Sequence, residues 1–365
     1  MRKHSFLIDT PFSVIIAALV VAGLFLLSSA SVAVSAKKYG TIYFYSLRQL
    51  FAALLGLAAL FIVHYIPYRF LRRLALPLFA CSLILLALVF APQIGLSLGG
   101  AQRWINLGML SFQPSEIAKV AFVIFLAWWF DRIGSQKVRS FRFGFLPFLC
   151  FVGIMGGLIL AEPDLGTFLV IAGSAVLMYI VAGGRWQYVL LFALIGAIAF
   201  GVLTQVKPYV GNRVDAFLNP EQDPLGIGYQ VRQATISIGS GGFWGLGYGS
   251  SQQSGSFLPE PIGDSIFAIV AGEFGFLGVL IVLGLYLAFL WRGIIIARQA
   301  PDLFAKLLVA GIIGTITLQA FINMGAISGL LPLTGIPLPF ISYGGTSLFM
   351  NLVSIGIIYQ IAKQS

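Results

Sequence analysis

The residues best placed to do chemistry are the few acids and bases that interrupt apolar sequence. Asp264 closes the stretch Leu258-Pro259-Glu260-Pro261-Ile262-Gly263-Asp264, and the apolar run Ile266-Phe267-Ala268-Ile269-Val270 follows almost at once. A carboxylate at the mouth of such a run has two readings. It caps the helix that follows, or it acts as a general base whose proton affinity is raised by partial burial. Glu273, about two and a half helical turns further on, is a second acid within the same run.

Upstream, Ser111-Phe112-Gln113-Pro114-Ser115-Glu116-Ile117-Ala118-Lys119 reads as the start of a helix. Proline suits the first helical position, and Glu116 then sits in the first turn, where the dipole favours an acid. Lys119 follows on the same face. The pair is either an ion pair that shelters two charges at a membrane interface or a lysine facing an anionic ligand. In Gly100-Ala101-Gln102-Arg103-Trp104-Ile105, Arg103 is an interfacial anchor or a guanidinium fork for phosphate. In Glu162-Pro163-Asp164-Leu165-Gly166-Thr167, capping by Asp164 or Thr167 is preferred over catalysis. Ligand or cation contact is the further reading there, since hard cations take carboxylate oxygens.

Two stretches have unusual backbones. The glycine-rich segment 239–249 lacks the Gly-Lys-Ser/Thr of a phosphate loop. Its glycines suit tight turns and close packing, and a sharper reading is a surface where a lipid-linked substrate nears the backbone. Segment 331–345 is apolar but holds too much Pro and Gly for a regular helix. Irregular backbone at membrane depth has to be buried in protein or line a cavity, so this segment is expected to be a re-entrant or interfacial loop.

The elements that must position these groups are membrane spans. The chain is 59% hydrophobic and only 9% charged, far below the charge of a soluble domain, and its apolar runs are of spanning length. Ten spans are expected, near 12–31, 46–66, 74–92, 115–131, 145–161, 166–182, 186–204, 265–290, 305–327 and 345–362. The first reads as a retained helix rather than a cleaved signal. The fold class is thus an all-α polytopic membrane protein, with a long polar loop over 206–264 between helices seven and eight. That loop holds eight of the 34 charged residues and eleven of the 42 glycines. No internal repeat divides the chain, so residues 1–365 form one domain.

An even number of spans puts both termini on one side. With the N-terminus in the cytoplasm, inner segments carry 14 of the 22 basic residues, as the positive-inside rule requires. The 206–264 loop then lies outside. The net charge of +10 is spread over short loops and makes no nucleic-acid face. Cys81 and Cys150 sit in apolar runs, and His4 and His64 are far apart, so neither a disulfide nor a zinc or histidine metal site is expected.

Taken in order, these motifs resemble the SEDS family (shape, elongation, division and sporulation). The resemblance rests on the motifs at 100–105, 113–119 and 162–167, and on Gly228-Tyr229-Gln230, Leu258-Pro259-Glu260…Asp264, Asn323-Met324-Gly325, Pro332-Leu333-Thr334-Gly335 and Ser342-Tyr343-Gly344-Gly345. This chain departs locally, with Asp264-Ser265 where the family usually has Asp-Phe and Gly272-Glu273 where it has paired glutamates. The resemblance implies a peptidoglycan glycosyltransferase of the bacterial cytoplasmic membrane that polymerises lipid II outside the cytoplasm, for elongation or division. It implies a class B penicillin-binding protein as partner and Asp264 as the catalytic acid. Arg103, Glu116, Lys119, Arg213 and Gln233 carry over as cavity and substrate-binding candidates, joined by Asp164, Glu273 and Ser342. The lipid pyrophosphate leaving group calls for positive charge, supplied by Lys119 and Arg103, with a divalent cation (Mg or Mn) as an optional helper and no organic cofactor. The rival functions are a lipid-linked-precursor flippase and a scaffold for the penicillin-binding protein.

Overall fold

The structure, a computed structural model, describes residues 9–91, 94–98, 101–106, 111–222, 226–250 and 258–364. Gly100, Arg2, Lys3 and His4 lie outside the described residues. Thirteen helices are described: α1 (Thr10–Ala30), α2 (Val32–Tyr39), α3 (Phe44–Tyr65), α4 (Tyr68–Leu88), α5 (Pro114–Val138), α6 (Leu146–Ala161), α7 (Leu165–Val181), α8 (Trp186–Val206), α9 (Pro208–Leu218), α10 (Ile227–Gly241), α11 (Ile266–Gln299), α12 (Leu303–Ile327) and α13 (Gly345–Ala362).

All ten expected spans fall on helices. Among the described residues, eight helices are long and apolar enough to cross a membrane on their own. The other two expected spans are α5, which carries Glu116, Lys119, Asp131 and Arg132, and α7, which has only 17 residues. The connections run these two between the same two ends of the bundle as their neighbours. At one end Arg292 pairs with Asp9 at 2.7 Å, the Tyr68 hydroxyl donates to Asp302 at 2.8 Å, and Gln360 accepts from the Tyr68 N–H at 3.0 Å. At the other end the turns at 162–164, 258–265 and 328–344 are bonded to one another or to β2, as described below. The helices must alternate between these ends, and the first and last described segments share one of them.

The fold class is all-α, as expected, and two features add detail to it. Strands β1 (Gly95–Leu98), β2 (Ala101–Asn106) and β3 (Ser111–Phe112) form a small antiparallel sheet in the connection between α4 and α5. Apolar spans hid this short excursion, and Gln102-Arg103-Trp104 carries little strand patterning. The polar stretch after α8 contains two short helices, α9 and α10. By contrast, 331–344 contains no helix, as its prolines require.

The bundle is built inside out, as a membrane solvent demands. On α12 and α13 most residues are buried, whereas every residue of α8 is at least partly exposed. The central packing is aromatic, with Phe79 stacked on Phe125 at 4.2 Å and Phe125 edge-on to Phe151 at 4.9 Å. Exposed Leu190, Leu194, Ile198 and Val202 on α8 face the hydrocarbon that would surround them.

Helix α10 runs beside the first turns of α11. The Ser237 hydroxyl donates to Ala268 O at 3.0 Å, and the chain then turns through 242–249 against a break in α11 at Gly275, where φ is 62°. The break frees backbone groups at membrane depth. They are taken up by the turn: Leu246 N donates to Gly272 O at 2.9 Å, Gly247 N to Glu273 O at 3.0 Å, and Phe276 N to Gly242 O at 2.9 Å. Side chains are excluded from this seam, since a Cβ on Gly245 would lie 2.1 Å from Glu273 O.

Candidate active site

Asp264 stands at the end of the turn before α11. The helix cap position is Ser265, with no side-chain cap bond, so Asp264 is not used as a cap. Its carboxylate instead faces Gln230 of α10, whose amide Nε2 lies 3.3 Å from both Asp264 oxygens and 3.0 Å from Ser265 Oγ. Burial, and then the Glu260 carboxylate in the same turn, push the Asp264 carboxyl up to about 6. The Gln230 amide, the Asp264 backbone and Arg213 pull the other way.

The turn itself is held from beneath by the irregular 331–344 segment. Ser342 Oγ donates to Gly263 O at 2.7 Å and accepts from Leu338 N at 2.8 Å, while Tyr343 N donates to Ile262 O at 2.8 Å. Asn323 of α12 donates to both Asp264 O and Ile336 O at 2.8 Å. Gln49 of α3 closes the bracket by donating to Ser342 O at 3.1 Å and accepting from Gly344 N at 3.2 Å. Two buried amides and a hydroxyl thus fix the backbone that carries Asp264.

Opposite Asp264 is Arg213 of α9, which donates to Thr334 O at 2.9 Å. Gly335, with φ of 69°, is the floor between them: a Cβ there would be 3.3 Å from Arg213 Nη2 and 3.9 Å from Asp264 Oδ2. Burial and then the neighbouring Arg103 lower the pKa of Arg213, while Asp164, Asp264 and Tyr209 favour its charge. Arg103, on β2, donates from Nε to Glu162 O at 3.1 Å and from Nη2 to Pro163 O. The two guanidiniums are therefore near enough to repel each other, and Arg213 of the pair faces the carboxylate. Such an arrangement repels itself until an anion arrives, and it fits a diphosphate leaving group.

Asp164 is a cap, as preferred from sequence. It accepts from Thr167 N at 3.0 Å and Thr167 Oγ1 at 2.9 Å, and it still acts electrostatically on Arg213. Its neighbour Glu162 is fully buried, neither carboxylate oxygen has a hydrogen bond among the described residues, and burial followed by Asp164 pushes it up to about 8.

Glu116 and Lys119 form an ion pair at 2.9 Å, one of the two readings of their spacing, and both are buried. Lys119 also donates to Gln319 Oε1, and Gln319 Nε2 donates to Pro337 O at 2.8 Å. One polar chain therefore joins Glu116 and Lys119 to the loop that supports Asp264, and Lys119 acts through that loop rather than beside the carboxylate. Glu273 is elsewhere. It is buried in the α10–α11 seam, where Ser29 Oγ donates to it at 2.5 Å and Gly249 N at 3.2 Å. Gln233 lies one turn beyond Gln230, partly exposed.

Sequence reasoning missed the roles of Gln230, Asn323, Gln49, Gln319 and Gly335. Neutral amides and a glycine carry no charge signal, although Gln230, Asn323 and Gly335 fall within recognised motifs.

The site is a carboxylate and a pair of arginines at the mouth of a polytopic helical bundle, and that defines a membrane-embedded enzyme acting on an anionic substrate. Residues 10–365 match the FtsW/RodA/SpoVE family of cell cycle proteins, and the chain belongs to that family. It is 40% identical to stage V sporulation protein E of Bacillus subtilis (strain 168), over 94% of this chain and 93% of that one. It is 41% identical to a probable peptidoglycan glycosyltransferase FtsW of Thiomicrospira cyclica, over 97% and 91%. Among solved structures, a chain from a study of how a peptidoglycan synthase complex coordinates polymerization and crosslinking superposes with a TM-score of 0.83 at 31% identity, covering 99% of both chains. The rod shape determining protein RodA of Thermus thermophilus superposes at 0.73 and 29%, covering 98% of both.

Proposed function

We infer that this protein is a peptidoglycan glycosyltransferase that polymerises lipid II at the outer face of the bacterial cytoplasmic membrane. The observation that carries the chemistry is the Asp264 carboxylate facing Arg213 across Gly335. Asp264 accepts the proton of the acceptor sugar's 4-hydroxyl. The oxygen so activated forms a bond to the donor's anomeric carbon as that carbon's bond to phosphate oxygen breaks. The lipid diphosphate leaves with the electron pair, and Arg213 and Arg103 meet its charge. The proton ends on Asp264 and passes to solvent before the next cycle. The 14-of-22 bias of basic residues supports an outward-facing site and cytoplasmic termini.

The residues around Asp264 do not make a cage for a divalent cation. Its carboxylate is faced by an amide donor and a guanidinium, and Glu260 is the one further acid acting on it, where a cation would need several oxygens. No group of three or more His, Cys, Asp or Glu able to hold a metal occurs among the described residues. A cation would arrive on the substrate's own diphosphate.

A class B penicillin-binding protein is the proposed partner, supported by the likeness to a chain from a complex that couples polymerization to crosslinking. Purified protein given lipid II is expected to produce glycan strands. Transfer of lipid II across vesicle bilayers without polymer would identify a flippase instead, and absence of polymer both with and without the partner would identify a scaffold.

A further inference from the structure

We propose that Gln230 is a positioning residue that aims the Asp264 carboxylate at the acceptor hydroxyl and holds it ready to take a proton. The inference rests on Asp264 being the base. A primary amide has two N–H donors, and Gln230 Nε2 directs them at both oxygens of Asp264, 3.3 Å away, and at Ser265 Oγ, 3.0 Å away. The donor comes from a stiff element. Helix α10 is pinned to α11 by the Ser237–Ala268 bond and by close approach at Gly241, where a Cβ would lie 1.9 Å from Ala271 O.

The other groups facing Asp264 explain why a neutral donor stands there. Glu260, in the same turn, repels the charged form, and Arg213 of α9 attracts it. Helix α12 contributes only the Asn323 amide, which is spent on the backbone carbonyl. Arg103 and Asp164 act on Arg213 rather than on the carboxylate itself. A lysine or arginine at 230 would fix the carboxylate as a weak base. An amide donates to it, fixes its orientation, and leaves it basic enough to work near neutral pH.

The test combines kinetics with a direct titration, on the full-length protein with lipid II. Polymerisation by wild type, Gln230→Leu and Gln230→Glu is followed from pH 5 to pH 9, with KM and kcat separated. In parallel, the protonated-carboxyl infrared band that Asp264→Asn lacks is titrated in each. Leu cannot donate, so the acid limb and the band midpoint both move up by about 0.5–1 pH unit, kcat falls about tenfold, and KM stays within about twofold. Gln230→Glu moves both further in the same direction. An unchanged acid limb and band midpoint in Gln230→Leu would overturn the proposal, even if the rate fell through instability. If Asp264→Asn polymerised normally, the base assignment would fail, and the infrared titration would still show whether Gln230 governs Asp264.

Discussion

At the scale of single residues, Asp264 and Arg213 are kept apart by nothing larger than a glycine. A Gly335→Ala side chain would intrude between them and would also be strained at a φ of 69°. Polymerisation is expected to fall tenfold or more, on the order of a misplaced reacting group, with thermal unfolding monitored to separate misplacement from misfolding. Lys119 makes a different prediction. Removing one partner of a buried ion pair leaves an uncompensated charge, so Lys119→Met should cost about 3–5 kcal/mol of stability. The double variant Glu116→Gln, Lys119→Met should recover part of that in a thermal double-mutant cycle. Additive losses would show that the pair is not the unit the 2.9 Å contact indicates. Legibility at this scale followed charge. Asp264, Arg103, Lys119 and Asp164 announce themselves because a charge in an apolar chain needs a reason. Gln230, Gln49 and Asn323 do not, because an amide's role is fixed only by what the fold sets 3 Å away. The shift from Gln233 to Gln230 is one helical turn, a distinction that depends on how α10 is rotated.

At the scale of elements, the seam between α10 and α11 decides where the Asp264 turn sits. Gly245 has a φ of 83° and no room for a Cβ against Glu273 O. Gly245→Ala should therefore lower the unfolding temperature and weaken activity together, whereas Gly153→Ala, with open space around it, should change neither. Equal effects of the two would contradict the seam. The sequence pointed to tight packing at these glycines and to an irregular 331–344 segment, because Pro and Gly restrict the backbone locally. It did not reveal α9, α10 or the small sheet. Short polar helices have weak periodicity, and β2 is fixed by pairing with β1 rather than by its own residues.

At the scale of the whole molecule, the spans were legible because the membrane imposes length and composition on each of them. Of the ten expected spans, only α5 and α7 fall short of those criteria, and both run between the same two ends of the bundle as the rest. In a background lacking Cys81 and Cys150, exposed Tyr43→Cys should react with an impermeant maleimide on intact cells, and exposed Arg298→Cys only after permeabilisation. The reverse pattern would turn the site toward the cytoplasm and remove the proposed substrate from its reach.

The site draws on α3, α9, α10, α12, β2 and the 331–344 segment, so its central claim is best tested where they converge. Glycan polymerisation from lipid II by purified Asp264→Asn is the most direct measurement. As general base, Asp264 must be ionised, and its carboxyl sits near 6, so wild-type activity should be full above that pH and lost as pH falls through it. Asp264→Asn should reduce polymerisation about 10²–10⁴-fold at every pH while unfolding at the wild-type temperature. Polymerisation at the wild-type rate, with an unaltered acid limb, would contradict the account.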